Sequence, residues 1–200
     1  LAGKVMPEGV ISICDLENSD EQYIKSCVES SEFSGIVKII SHTDKKGDYR
    51  AHAAMASEMI DTVARDDTTY AGILDSIGAY LSEREAHSEV GEGFGGAARA
   101  VEIASLSRRA MSALRAKDGC IFFITHVHAA IGGRGHETSG GKTKGYLAYV
   151  RMNLWNKETV TLGSDKEIAC YVIGGTIEKL KSGKKGGKFQ VVNLPGSGIN

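Results

Sequence analysis

No stretch of this 200-residue chain is apolar for long enough to cross a membrane as a helix, and the residues from Leu1 onward do not form a secretory leader. Cysteine is sparse. Cys14, Cys27, Cys120 and Cys170 are scattered without a CxxC pair, which argues against a disulfide framework or a Cys-based metal site and for free thiols in a reducing cytosol. His126 and His128 have the spacing of metal ligands on a strand, but no nearby Cys or acid completes a zinc set. His42, His52, His87 and His136 read as surface or loop histidines. No G-x-S-x-G or other nucleophile motif occurs, and Ser76 has no evident base, so covalent catalysis is not indicated. The net charge of −1 carries no signal for nucleic acid. The distribution of charge carries more: Arg134, Lys142 and Lys144 share one loop, Lys179, Lys181, Lys184, Lys185 and Lys188 crowd a late tract, and Glu83, Glu85, Glu89 and Glu92 mark another loop.

What is present is an alternation of short apolar runs and helical patterns. The runs at 9–15 (GVISICD), 35–41 (GIVKIIS) and 70–77 (YAGILDSI) read as strands, the first and third of them buried, and the run at 120–124 (CIFFI), too short for a helix and rich in β-branched and aromatic residues, reads as a strand buried on both faces. Between them, residues 21–30 follow a capping Ser19 or Asp20, residues 49–65 place Ala53, Met55, Ala56, Met59, Ile60 and Val63 on one face, and residues 97–117 form the longest helix. In that helix Ala98, Val101, Ala104, Leu106, Ala110 and Leu114 turn inward, with Arg99, Arg108, Arg109 and Arg115 outward. A strand over 146–154 and two more over 167–192, joined by SGKKGGK, end the pattern. This order predicts one α/β domain over 1–200 with a mainly parallel central sheet flanked by helices.

Three strands end in polar residues: Asp15 with Glu17, Asp75 with Ser76, and Thr125 with His126. Each alone reads as a cap or turn. Neighbouring parallel strands would bring all three to one sheet edge, where ligands of open α/β sheets bind. Two acids and hydrogen-bonding groups there suit a metal–nucleotide site, with Asp75 on Mg²⁺ directly or through water and Glu17 activating a water. The glycine-bearing loops at 83–96 and 127–145 are either solvated connectors or fingers that order on a polyanion. In the second, Arg134, Lys142 and Lys144 face a single acid, Glu137, and the glycines leave backbone N–H groups free for phosphate.

The segments ICDLENSDEQY, AGILDSIGAYL, GFGGAARA and FFITHVHAAIG…TSGGKTKGYLAYVRM, with IEKLKSGKKGGKFQVV…GSGI near the end, resemble the RecA recombinase core in order and spacing. His126, where bacterial RecA proteins usually carry Gln, and the IEKLK tract look closer to the phage UvsX-type branch. The resemblance covers nearly the whole chain and implies a RecA-like P-loop ATPase fold using ATP and Mg²⁺. It implies that Glu17 is the catalytic glutamate, Asp75 with Ser76 the Walker B pair near Mg²⁺, Tyr23 the aromatic stacked on adenine with Asp20 near the base, and His126 the γ-phosphate sensor. Residues 127–139 would be the second DNA-binding loop, with Arg134 inside it and Gly140, Gly141, Lys142 and Lys144 at its end. Residues 83–96 would be the first, with Arg99 opening the helix after it. Lys179 and Lys181 resemble the lysine pair that reaches a neighbouring subunit's ATP.

One departure is large. The family's phosphate loop, G-x-x-x-x-G-K-[ST], is expected just upstream of Leu1, so an N-terminally truncated core is the expectation, with no hydrolysis by this stretch alone. The intact protein would be a DNA-dependent ATPase that forms a helical homo-oligomeric filament on single-stranded DNA and pairs it with homologous double-stranded DNA, away from membranes. The rivals are a RecA-fold helicase or motor, and a non-hydrolysing DNA-binding regulatory relative.

Overall fold

The computed structural model describes residues 9–19, 22, 24–25, 34–43, 46–88, 95–115, 117–129, 136–138, 142–183, 186–195 and 198–199. The chain divides into two compact units: Leu1–Glu21 with Phe33–Leu147, and Gln22–Glu32 with Ala148–Asn200.

The first unit is built on four strands, β1 (Val10–Asp15), β2 (Ile36–Ile40), β3 (Thr69–Asp75) and β4 (Cys120–Phe123), all parallel, in the order β2-β1-β3-β4. Their Val, Ile and Phe content favours a pleated surface. In register, Cys14 lies beside Ile40 and Leu74, and Leu74 beside Phe123. These residues share the face covered by helices α1 (His52–Arg65) and, beyond the four-residue α2 (Glu83–Ala86), α3 (Gly95–Ala113). The buried cluster joins Cys14, Ile40 and Leu74 to Met55, Met59, Ile60 and Val63 of α1 and to Ile103, Leu106 and Ala110 of α3. The α1 residues recur at i, i+3/i+4 and i+7, the stripe that the sequence pattern predicts. Arg109 ties the two helices at the surface through Ser57 (2.6 Å) and Asp61 (3.1 Å).

Several expectations shift. The α1 pattern starts at His52 rather than 49, because Tyr49 pairs with Thr43 and the Arg50 amide returns to the His42 carbonyl (2.8 Å). His52, read as a surface histidine, is buried, its ring packed on Tyr80 and His42. Val101 faces outward at 67% exposure and Ile103 takes its place in the core. β4 is not buried on both faces: among the described residues it is the last strand of its sheet, and Phe122 is 46% exposed. The two expected loops are partly regular. The first contains α2. The second contains a hairpin of β5 (Val127–Ala129) and β6 (His136–Thr138), then α4 (Thr143–Leu147). Tyr146 therefore lies on α4, not on a strand, because the Lys142 carbonyl accepts the Gly145 (3.1 Å) and Tyr146 (3.3 Å) amides. The helix expected over 21–30 lies mostly outside the described residues.

The second unit is an antiparallel sheet in the order β10-β9-β8-β7, from β7 (Val150–Leu162), β8 (Glu167–Leu180), β9 (Lys188–Leu194) and β10 (Gly198–Ile199). The two late strands joined by the lysine-rich turn are β8 and β9.

Candidate functional site at the carboxyl edge of the parallel sheet

β1 and β3 end side by side, Asp15 opposite Asp75. Beyond them the chain turns sharply. The Asp15 carboxylate accepts the amides of Glu17 (3.0 Å) and Ser19 (2.7 Å), and Asn18 adopts a positive φ of 55°. Asp side chains favour such local turns and Asn tolerates the left-handed region. The turn leaves Glu17 as the acid that projects over the sheet edge. Asp15, counted with Glu17 from the sequence, is spent on shaping the turn.

From β3, Ser76 follows a cis Asp75–Ser76 bond and its hydroxyl donates to Glu17 Oε1. From β4, the chain passes Ile124, whose amide donates to the Leu74 carbonyl (3.0 Å) and whose carbonyl accepts the Ile77 amide (2.9 Å). These bonds hold the ends of β3 and β4 together and bring His126 Nε2 to 2.9 Å from the same Glu17 oxygen. Glu17, Ser76 and His126 thus meet in one hydrogen-bonded group. The Ser76 and His126 bonds hold the Glu17 carboxyl below its usual range, because both stabilise the ionised form. Asp75 shifts the other way. Partial burial raises it, the neighbouring Glu17 and Asp15 charges add to that, and His126 opposes. Glu17 is about one-third exposed, so water reaches it.

Asp75, Ser76 and Glu17 offer only oxygen donors, the set a hard divalent cation takes. No group of three or more His, Cys, Asp or Glu side chains able to hold a metal occurs among the described residues.

The other expected residues are spread out. Arg99 does not project freely outward but forms a two-pronged ion pair with Glu85, Nη2–Oε1 at 2.6 Å. Lys142 is exposed just before α4, and Lys144 is half-buried on it. Lys179 sits on β8 opposite Arg151, and the Lys181 amide donates to the Tyr149 carbonyl (3.0 Å). Desolvation, then Lys181 and Arg151, push the Lys179 ammonium below its usual value. Both lysines belong to the second unit. Asp20, Tyr23, Arg134, Gly140 and Gly141 lie outside the described residues. Neither the Ser76–Glu17 link nor the Glu85–Arg99 pair is signalled in the sequence; acids and bases near helix starts are the only visible hint.

No protein-family model matches the chain. A stretch of 116 residues, 56% of the chain, is 27% identical to Protein RecA of Gloeobacter violaceus, and the chain spans only 31% of that relative's length. The crystal structure of the RadB recombinase superposes on 98% of this chain and 80% of its own, with a TM-score of 0.56 and 14% identity. At that identity the structural likeness speaks for the fold. The chain thus has the RecA/RadB-like α/β fold, with a parallel central sheet flanked by helices.

Proposed function

We propose that the chain is the core of an ATP-dependent DNA recombinase of the RecA kind, acting in DNA recombination and repair. The observation that carries this reading is the meeting of Glu17, Ser76 and His126 at the carboxyl edge of the parallel sheet, beside Asp75. The similarity to RecA over 116 residues supports it. In this reading Glu17, kept ionised by Ser76 and His126, orients a water and takes its proton as that water attacks the γ-phosphate in line. Mg²⁺ beside Asp75 would neutralise charge developing on the phosphates. His126, lying between Glu17 and the β5–β6 hairpin, would pass nucleotide state to the DNA-facing segment. Tyr23 and Asp20 would hold the adenine, and Lys179 and Lys181 would reach the ATP of the next subunit in a filament. Arg99, Arg134, Gly140, Gly141, Lys142 and Lys144 would meet DNA. Kinship with the UvsX-type branch rests on His126 and the IEKLK tract.

The test is DNA-stimulated ATP hydrolysis in the intact protein and its Glu17→Gln variant. Removing a general base lowers turnover by about 100-fold or more, while nucleotide binding persists. Unchanged hydrolysis in the variant would remove Glu17 from the role. The same assays separate two other readings. A protein that binds single-stranded DNA without stimulated hydrolysis would be a non-hydrolysing regulatory relative. Duplex unwinding without strand exchange would instead mark a helicase-type motor.

A further inference from the structure

The start of the first glycine-bearing loop is clamped onto α3 by groups that the proposed reaction does not use. Ser82 and Glu85 cap α2 reciprocally: the Glu85 amide donates to Ser82 Oγ (3.2 Å), and the Ser82 amide donates to Glu85 Oε2 (2.8 Å). Arg99 of α3 grips the same carboxylate with Nη2 on Oε1 (2.6 Å) and Nε on Oε2 (3.2 Å). Three residues on, Glu102 accepts the Tyr80 hydroxyl (2.8 Å) and the Glu83 amide (3.2 Å). Glu102 thus adds a second tie between this segment and α3, while the Ser82 cap acts within α2. The cap needs only a side-chain carbonyl oxygen at Glu85, which Gln supplies as well. The charge of Glu85 is therefore surplus to the cap, and its partner is Arg99.

A guanidinium fork matches carboxylate and phosphate with the same geometry. Arg99 stands in the first turns of α3, directly after residues 83–96. Its side chain is 26% exposed and that of Glu85 14%, so the pair is partly open to solvent. Resting on the DNA-binding reading above, we propose that Glu85 is a built-in competitor for the backbone phosphate that Arg99 takes. Without DNA, Glu85 occupies the fork and fixes α2 on α3. A phosphate entering beside the loop displaces the carboxylate, and the segment is left with only the Glu102 contacts to α3. The Arg99 pairing, opposed by burial and helped by Ser82, holds the Glu85 carboxyl down to about 2. The latch is thus closed throughout the physiological pH range and opens by competition, not protonation.

The experiment is fluorescence anisotropy of a labelled oligo(dT) with the protein, Glu85→Gln, Arg99→Ala and the double variant, over a series of salt concentrations. Gln retains the cap, and thermal melts followed by circular dichroism check that each variant folds. Glu85→Gln tightens binding about three-fold, the size of a surface ion pair, with the slope of log K against log salt unchanged, because Arg99 takes the same phosphate in both proteins. Arg99→Ala flattens that slope by about 0.7, one single-strand phosphate, and the double variant shows the flattened slope without the gain in affinity. Equal affinity in the protein and Glu85→Gln overturns the latch while leaving DNA binding intact. Weaker binding by Glu85→Gln, or an unaltered slope in Arg99→Ala, overturns it also, the first making Glu85 a support of the loop and the second removing Arg99 from the phosphate. If neither the protein nor Glu85→Gln binds with a salt-dependent affinity, the DNA-binding reading itself fails and the latch with it.

Discussion

His52 opens α1 with its Nδ1 turned to the Leu81 amide, which donates to it at 3.0 Å. A backbone N–H can only donate, so Nδ1 carries the lone pair and the ring is neutral. Protonation would put two donors face to face, in a buried site and at a helix N-terminus where positive charge is unfavourable. Burial lowers the His52 pKa, the nearby His42 lowers it further, and a backbone bond at Ala79 opposes. His42 lies 5.3 Å away ring to ring, with the Tyr49 and Tyr80 rings beyond. Because the folded value is depressed, the stabilisation is fully present above the ordinary value of 6.5 and is lost as pH falls below it. The loss reaches at most about 1.4 kcal/mol per pH unit for one proton. Urea unfolding at pH 7.5 and 5.5 measures it: the protein weakens on acidification, and His52→Asn weakens less. Equal losses in the two proteins would clear His52 of the effect.

Elements here owe their packing to pairs of neighbours on different strands, which sequence alone does not place. In β8, Gly174 lies opposite Trp155 of β7, and Gly175 opposite Phe189 of β9. A Cβ on Gly174 would come within 2.6 Å of the Trp155 indole, and one on Gly175 would run into the Phe189 ring. Consecutive strand residues face opposite sides, so each face of the sheet carries one ring laid over a bare backbone. Alanine in a strand interior normally gains about 0.5–1 kcal/mol over glycine. At these positions the rings must lift, and the sign reverses to a loss of about 1–3 kcal/mol. Trp155 is the sole tryptophan, so its emission reports on one site. Gly174→Ala shifts that emission to the red and lowers the melting temperature. Gly175→Ala lowers the melting temperature with the emission unmoved. A more stable Gly174→Ala protein with unchanged emission would mean that the indole does not lie on Gly174.

At the scale of the molecule, the parallel strands are legible because short apolar runs of about five to eight residues have few other uses, and their polar ends mark where a sheet edge collects function. Asp15, Glu17, Asp75, Ser76 and His126 were readable in that way. What joins them was not, since the Ser76–Glu17 link depends on the β1–β3 register and on the Asp15–Ser19 turn. Glycine content reads residues 83–96 and 127–145 as loops, connectors or polyanion-binding fingers, without regular structure, whereas capping at Ser82 and the return of amides to the Lys142 carbonyl fold parts of them into helix. The division into two units left no linker composition to find. The second glycine segment nevertheless ends at a cationic step, with Lys142 exposed before α4 and Lys144 on it. If that step tracks a phosphate backbone, replacing Lys142 and Lys144 with Ala weakens oligo(dT) binding for every sequence alike. It also flattens the salt slope by about 0.7 for each phosphate no longer neutralised. A weaker affinity with an unaltered slope would mean that the lysines support the fold of α4 rather than meet DNA, and an unaltered affinity would place the DNA elsewhere on the chain.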